Sequence, residues 1–149
     1  NVSVEAEIGA IGTEEGGENV GGGNLSSPEE VNKFIELTGI DSVAVSVGNE
    51  HGAPEDEKID LKLLEEISRK IETPLVLHGA SGLSDEDIKS AIGLGIAKIN
   101  IDTGIRKAFI EGLSNIEEGT KDYRKILKVS MENIQRVVEE KIKLFSDSI

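Results

Sequence analysis

Four short runs rich in β-branched residues recur along the chain, and each gives way to a turn and then to an amphipathic helical pattern. The runs are Val2 to Ile8, Ser42 to Val47, Pro74 to His78 and Ala97 to Asp102. This alternation constrains the fold more than any other feature, because strands separated by helices pair in parallel through right-handed crossovers. The helical segments carry recognisable ends. Ser27 to Thr38 begins on Ser-Pro-Glu-Glu and stops at Gly39, while Leu61 to Glu72 sets Leu64, Ile67 and Ile71 on one face. Ser84 to Asp87 can form a capping box for a helix reaching Leu94. Gly104 to Leu113 and Lys121 to Phe145 complete the set, the last with charges spaced i,i+4.

Whether the sheet closes is left open by this pattern. Four βα units with polar groups at the strand ends suit one side of a TIM (β/α)8 barrel, whose sites are assembled at those ends. A flavodoxin-like sheet has the same period but places its phosphate loop after the first strand. Here the glycine-rich turns follow the third and fourth runs. At 149 residues and 37% apolar content, the chain suffices for one domain or for part of a larger one. A net charge of −13 repels nucleic acid and anionic membrane surfaces, so neither is an expected partner. The absence of cysteine excludes disulfides and thiolate metal sites and agrees with a cytoplasmic location. No apolar run approaches the roughly 18 residues that a membrane span requires.

The chemistry gathers at the strand ends. The chain has only two histidines, and both stand in strand-His-Gly contexts: His51 in Ser42-Val-Ala-Val-Ser-Val-Gly-Asn-Glu-His-Gly52, His78 in Pro74-Leu-Val-Leu-His-Gly-Ala-Ser-Gly82. Glu5 and Glu7 share a face of the first strand, because side chains alternate with a period of two. Asn100, Asp102 and Thr103 end the fourth. If the strands are parallel neighbours, two imidazoles and several oxygen donors converge on one mouth, a set that suits Zn²⁺ or a similar divalent ion. Gly79-Ala-Ser-Gly82 offers backbone N–H groups and a hydroxyl for a phosphate. The stretch from Gly12 to Gly23 is glycine-rich and reads as a mobile loop over about 12–24.

Together, Val2-Ser-Val-Glu-Ala-Glu-Ile-Gly9, Thr38 to Gly52, Pro74 to Gly82 and Lys98-Ile-Asn-Ile-Asp-Thr103 resemble the class II, zinc-dependent fructose-bisphosphate aldolases and the related tagatose-bisphosphate aldolases. The likeness extends to the tail, Lys121 to Leu127 and Val138 to Phe145. It covers the second half of that family's barrel, so residues 1–149 are expected to form four βα units with a C-terminal helical extension over about 121–146. The N-terminal half of the barrel would be a partner, supplying a further zinc histidine and a proton-handling aspartate.

The resemblance also implies roles. His51 and His78 match zinc ligands, and Glu7 matches a carboxylate beside the metal. Glu15 matches the mobile loop glutamate that exchanges a substrate proton, although Gly12-Thr-Glu-Glu-Gly-Gly17 departs from the family's acidic loop and leaves Glu14 in contention. Gly79 and Ser81 match the cradle for the ketose 1-phosphate, with Asn100, Asp102 and Thr103 completing its wall. A monovalent cation, Na⁺ or K⁺, is implied near that cradle. Asp102 favours fructose 1,6-bisphosphate over its tagatose isomer, with dihydroxyacetone phosphate as one product. Arg124 matches a residue reaching the distal phosphate from a neighbouring subunit, which implies a homo-oligomer of at least two copies. The expected activity is aldol cleavage. A half-barrel that keeps these ligands without activity is the alternative from another class, and a small metal-free phosphate-binding domain a more distant one.

Overall fold

The computed structural model describes residues 2–10, 12–13 (backbone only), 24–52 and 57–148. Four strands form one parallel sheet: β1 (Glu5–Ile8), β3 (Ser42–Val45), β5 (Leu75–Leu77) and β6 (Ile96–Ile99), in that spatial order. A second, two-stranded parallel pair joins β2 (Gly12–Thr13) to β4 (Glu50–His51). The helices are α1 (Pro28–Thr38), α2 (Leu61–Ser68), α3 (Asp85–Gly93), α4 (Thr103–Ser114) and α5 (Tyr123–Ser146).

Local chemistry explains the ends. Ser27 Oγ accepts from Glu30 N while Glu30 Oε2 accepts from Ser27 N, closing a capping box at α1 with Pro28 in its first turn. Asp60 caps α2 through Leu63 N, Ser84 caps α3 through Asp87 N, and Asp122 caps α5 through Arg124 N. The expected helix from Leu61 stops at Ser68, short of Glu72, and the last helix begins at Tyr123. The second expected strand is also shorter, ending at Val45, and His51 lies on the separate β4. Asn49 causes part of that break, since its Oδ1 accepts from Val47 N and takes that amide out of the strand ladder.

The strand order runs in one direction from β1 to β6. An order without reversal fits a segment of a (β/α)8 barrel. The helices follow suit, with α1 against α2, α2 against α3, and α3 and α4 against α5. The register then sorts the two faces. Val43 pairs with Leu75 and Leu75 with Ile96, and these join Val45 and Leu77 in a core with Val31, Leu64, Ile67, Ile88 and Leu144 from the helices. Each such aliphatic side chain contributes about 1.5–3 kcal/mol on burial. The opposite face presents Glu5, Glu7, Ala44, Val76 and Lys98. Behind the sheet, Gly112 of α4 meets Ser130 of α5 so closely that an added Cβ would overlap Ser130 Cα. Among the described residues no helix is long and apolar enough to cross a membrane.

Candidate active site

The C-terminal ends of β4, β5 and β6 open onto one cavity of about 330 Å³. His51 reaches it from β4 and His78 from the end of β5. Gly79 and Ser81 line it from the turn after β5, and Asn100, Asp102 and Thr103 from the connection between β6 and α4. Seven of the residues expected from the sequence thus line one cavity.

His78 is held on both sides of its ring. Its Nδ1 lies 2.7 Å from Glu7 Oε2 and its Nε2 3.1 Å from Glu5 Oε1, while Lys98 Nζ donates to both Glu5 oxygens at 2.9 and 3.2 Å. The Lys98 hydrogen bond, helped by His78 and opposed by partial burial, keeps the Glu5 carboxyl below the usual carboxylate range. The shared face read from the alternation of Glu5 and Glu7 therefore exists, and its two carboxylates meet the imidazole. Glu7 sits where a carboxylate orients a ligating histidine through the other ring nitrogen. Among the described residues no group of three or more His, Cys, Asp or Glu side chains is arranged to hold a metal ion.

The turn after β5 and the start of α4 meet at the cavity. Ser81 Oγ accepts from Gly104 N at 3.3 Å and ties the turn to the start of α4. Asp102, at the N-cap of α4, makes no side-chain capping bond. Its Oδ2 instead faces Arg106 Nε at 2.9 Å. The guanidinium of Arg106 also lines the cavity, beside the Asp102 carboxylate and the start of α4. Arg106 is absent from the sequence expectations. Its i,i+4 spacing to Asp102 at a helix start is the signal that could have found it.

The segment bearing His51 is strapped down at several points. Asn49 Nδ2 donates to the His78 carbonyl at 2.9 Å, and Gly79 packs against the Glu50 backbone. Glu57, only 7% exposed, accepts from Glu50 N at 2.8 Å. Burial pushes the Glu57 carboxyl above its usual range, against the backbone amides of Glu50 and Gly82, which favour the charged form. The folded chain therefore holds an extra proton between the ordinary carboxylate value and the raised one. Stability contributed by Glu57 is present below the ordinary value and is lost as pH rises through the raised one. Glu57→Gln, which does not titrate, should gain stability relative to wild type between pH 4 and pH 7, read as urea midpoints. Parallel pH profiles for the two proteins would contradict this.

Arg124, expected to serve a neighbouring subunit, does not line this chain's cavity; the side chain is exposed and pairs with Asp122 at 2.9 Å, an ion pair that holds the Asp122 carboxyl low. Glu14 and Glu15 lie outside the described residues, as does most of the loop over 12–24. The backbone of Thr13 pairs with His51, so the loop sets out from beside that histidine.

Comparison with known proteins agrees with this architecture. The family model for class-II fructose-bisphosphate aldolase matches residues 1–148. YdjI of Escherichia coli strain K12, described as uncharacterized, is 38% identical over 146 residues, which cover 97% of this chain and 52% of that protein. The crystal structure of the YdjI aldolase from the same strain superposes with a TM-score of 0.78 at 33% identity, over 97% of this chain and 48% of that one. Fructose-bisphosphate aldolase from Campylobacter jejuni gives a TM-score of 0.73 at 26% identity, over 97% of this chain and 52% of that one. The chain spans about half the length of these relatives. On the family match along nearly its whole length, and on the parallel sheet with polar strand ends, the chain belongs to the class II fructose-bisphosphate aldolase family.

Proposed function

We propose that the chain is the C-terminal half of a (β/α)8 barrel and acts in the reversible aldol cleavage of a ketose bisphosphate, fructose 1,6-bisphosphate first, to dihydroxyacetone phosphate and a triose phosphate. The observation that carries this reading is the shared cavity, lined by His51 and His78 together with Gly79, Ser81, Asn100, Asp102 and Thr103. Family membership adds the lyase chemistry and the expectation of zinc.

His51 and His78 would hold the divalent ion, with Glu7 fixing the His78 ring. When bound, such an ion supplies Lewis-acid polarisation of the ketose oxygens. The remaining work falls to side chains and amides of this chain. The Gly79–Gly82 turn and the first amides of α4 take the ketose phosphate, and a monovalent cation beside the turn would offset its charge. Asp102 and Asn100 orient the sugar hydroxyls, Asp102 favouring the fructose isomer. Glu15, two residues beyond Thr13, carries the proton exchanged at the substrate carbon. Arg124 serves the distal phosphate of a neighbouring subunit.

A third zinc ligand and the aspartate that handles the hydroxyl proton are assigned to the N-terminal half of the barrel. The two sheet edges, β1 and β6, each have one partner strand among the described residues, which supports either that half or a second copy as the neighbour. A positioned general acid or base typically contributes on the order of 10²- to 10⁴-fold. Residues 1–149 alone should therefore cleave fructose 1,6-bisphosphate near background, and addition of the complementing half should restore turnover. Triose phosphate release coupled to NADH oxidation measures both, and Asp102→Ala in the restored enzyme should shift preference toward the tagatose isomer. The competing non-catalytic reading rests on His78, whose two ring nitrogens both face carboxylates. It wins if the complemented barrel stays inactive. Chelator-resistant turnover by residues 1–149 alone would overturn the metal-dependent mechanism.

A further inference from the structure

After Val45 the chain leaves the main sheet and runs as a strap through Asn49 to His51 on β4. Asn49 is only 2% exposed, and both ends of its amide are used. Oδ1 accepts from Val47 N at 2.8 Å within the strap, while Nδ2 donates at 2.9 Å to the carbonyl of His78, 29 positions away and just past β5. A backbone N–H can only donate and a carbonyl can only accept, so neither a flipped amide nor a carboxylate would satisfy both. The asparagine does not itself line the cavity. It nevertheless joins the segment that carries one cavity histidine to the main chain of the other. The next residue on each side packs in the same sense, because a Cβ added to Gly79 would overlap the Glu50 carbonyl.

We propose that Asn49 is a positioning residue that sets the spacing of His51 and His78, by hydrogen-bonding the strap of the first to the main-chain carbonyl of the second. Only Glu50 stands between Asn49 and His51, and its amide is itself held by Glu57 Oε1 at 2.8 Å. Little slack remains between the tie and the imidazole. Asn49 thus acts through the two histidines and not on a ligand. The consequence for zinc rests on the reading of His51 and His78 given above, and the tie itself does not.

Two variants, read by NMR on the full chain, take the tie apart. Asn49→Ala removes both bonds, whereas Asn49→Asp keeps an acceptor for Val47 N and loses the donor to His78. The carbonyl carbon resonance of His78 should therefore move in both variants, and hydrogen exchange at Val47 N should accelerate in the alanine variant alone. The core amides of β3 and β5 should keep their protection. Zinc titrated alone should bind Asn49→Ala roughly tenfold or more weakly than wild type, the scale seen when groups behind metal ligands are removed. In a His51→Ala background the same substitution should leave zinc affinity unchanged, because a single histidine has no spacing to keep. A His78 carbonyl resonance unmoved in both variants would overturn the tie. So would a loss of protection spread through β3 and β5 in both, which would make Asn49 a general stability residue. Zinc affinity unaltered in Asn49→Ala, or lowered equally with and without His51, would refute the positioning role. A wild-type chain that takes up no zinc while the His78 carbonyl responds to both variants would refute the metal reading and uphold the tie.

Discussion

Replacing His51 and His78 together by alanine should lower zinc affinity by roughly 10²-fold or more, counting at least tenfold for each imidazole by analogy with the loss of groups behind metal ligands. The two residues reach the cavity from different elements, β4 and the end of β5, so neither can stand in for the other. The single variants should differ in a second respect. His78→Ala also removes the partner between Glu5 and Glu7, leaving Glu7 without its imidazole while Glu5 keeps Lys98. His51→Ala disturbs no such cluster, so its melting temperature should stay nearer to wild type. Calorimetric titration of zinc into the four proteins, paired with thermal melts, separates ligation from stability. Zinc uptake by the double variant equal to wild type would remove the metal assignment.

Gly79→Ala should be the most disruptive single change in the site. Gly79 has φ +67°, a left-handed conformation that costs a side-chain-bearing residue about 1–2 kcal/mol. The added methyl would also run into the Glu50 carbonyl, and overpacking of that kind costs about 1–3 kcal/mol. Together these predict about 2–5 kcal/mol of destabilisation, a fall in melting temperature on the order of 5–15 °C for a chain of this size. Because the clash is with the strap, relief of strain would move His51 and the turn apart, and phosphate and zinc affinity should fall together. A melting temperature within about 2 °C of wild type would show that the turn accommodates the methyl, and the close packing of turn and strap would lose its mechanical meaning.

How far the sequence could be read is clearest at particular residues. The main strands and helices were legible because each is written in a short-range code: β-branched runs for β1, β3, β5 and β6, and Ser27, Asp60, Ser84 or Asp122 at helix starts. The seven cavity residues were legible for a related reason. Each follows a strand, and parallel strands point their C-terminal ends the same way. The break at β3 was not legible, because it depends on the Asn49 side chain competing for Val47 N and on Gly48 at φ +98°.

Charged residues divide along the same line. Arg124 and Arg106 carry the same charge, and the packing of α4's first turn onto the Ser81 turn brings Arg106 to the cavity. Lys98 meets Glu5 across 93 positions of chain, a pairing decided by strand register. Glu57 closes the acidic run Glu55-Asp56-Glu57, which by composition belongs to a solvated loop. In the fold it is buried and accepts from the Glu50 amide. Secondary structure, strand-end chemistry and family were thus properties of the sequence alone, since periodicity, caps and local motifs act within a few residues. The order of the sheet, the partners of His78, the choice of arginine and the burial of Glu57 were decided only by tertiary structure, because each depends on which distant backbone segments come to lie side by side.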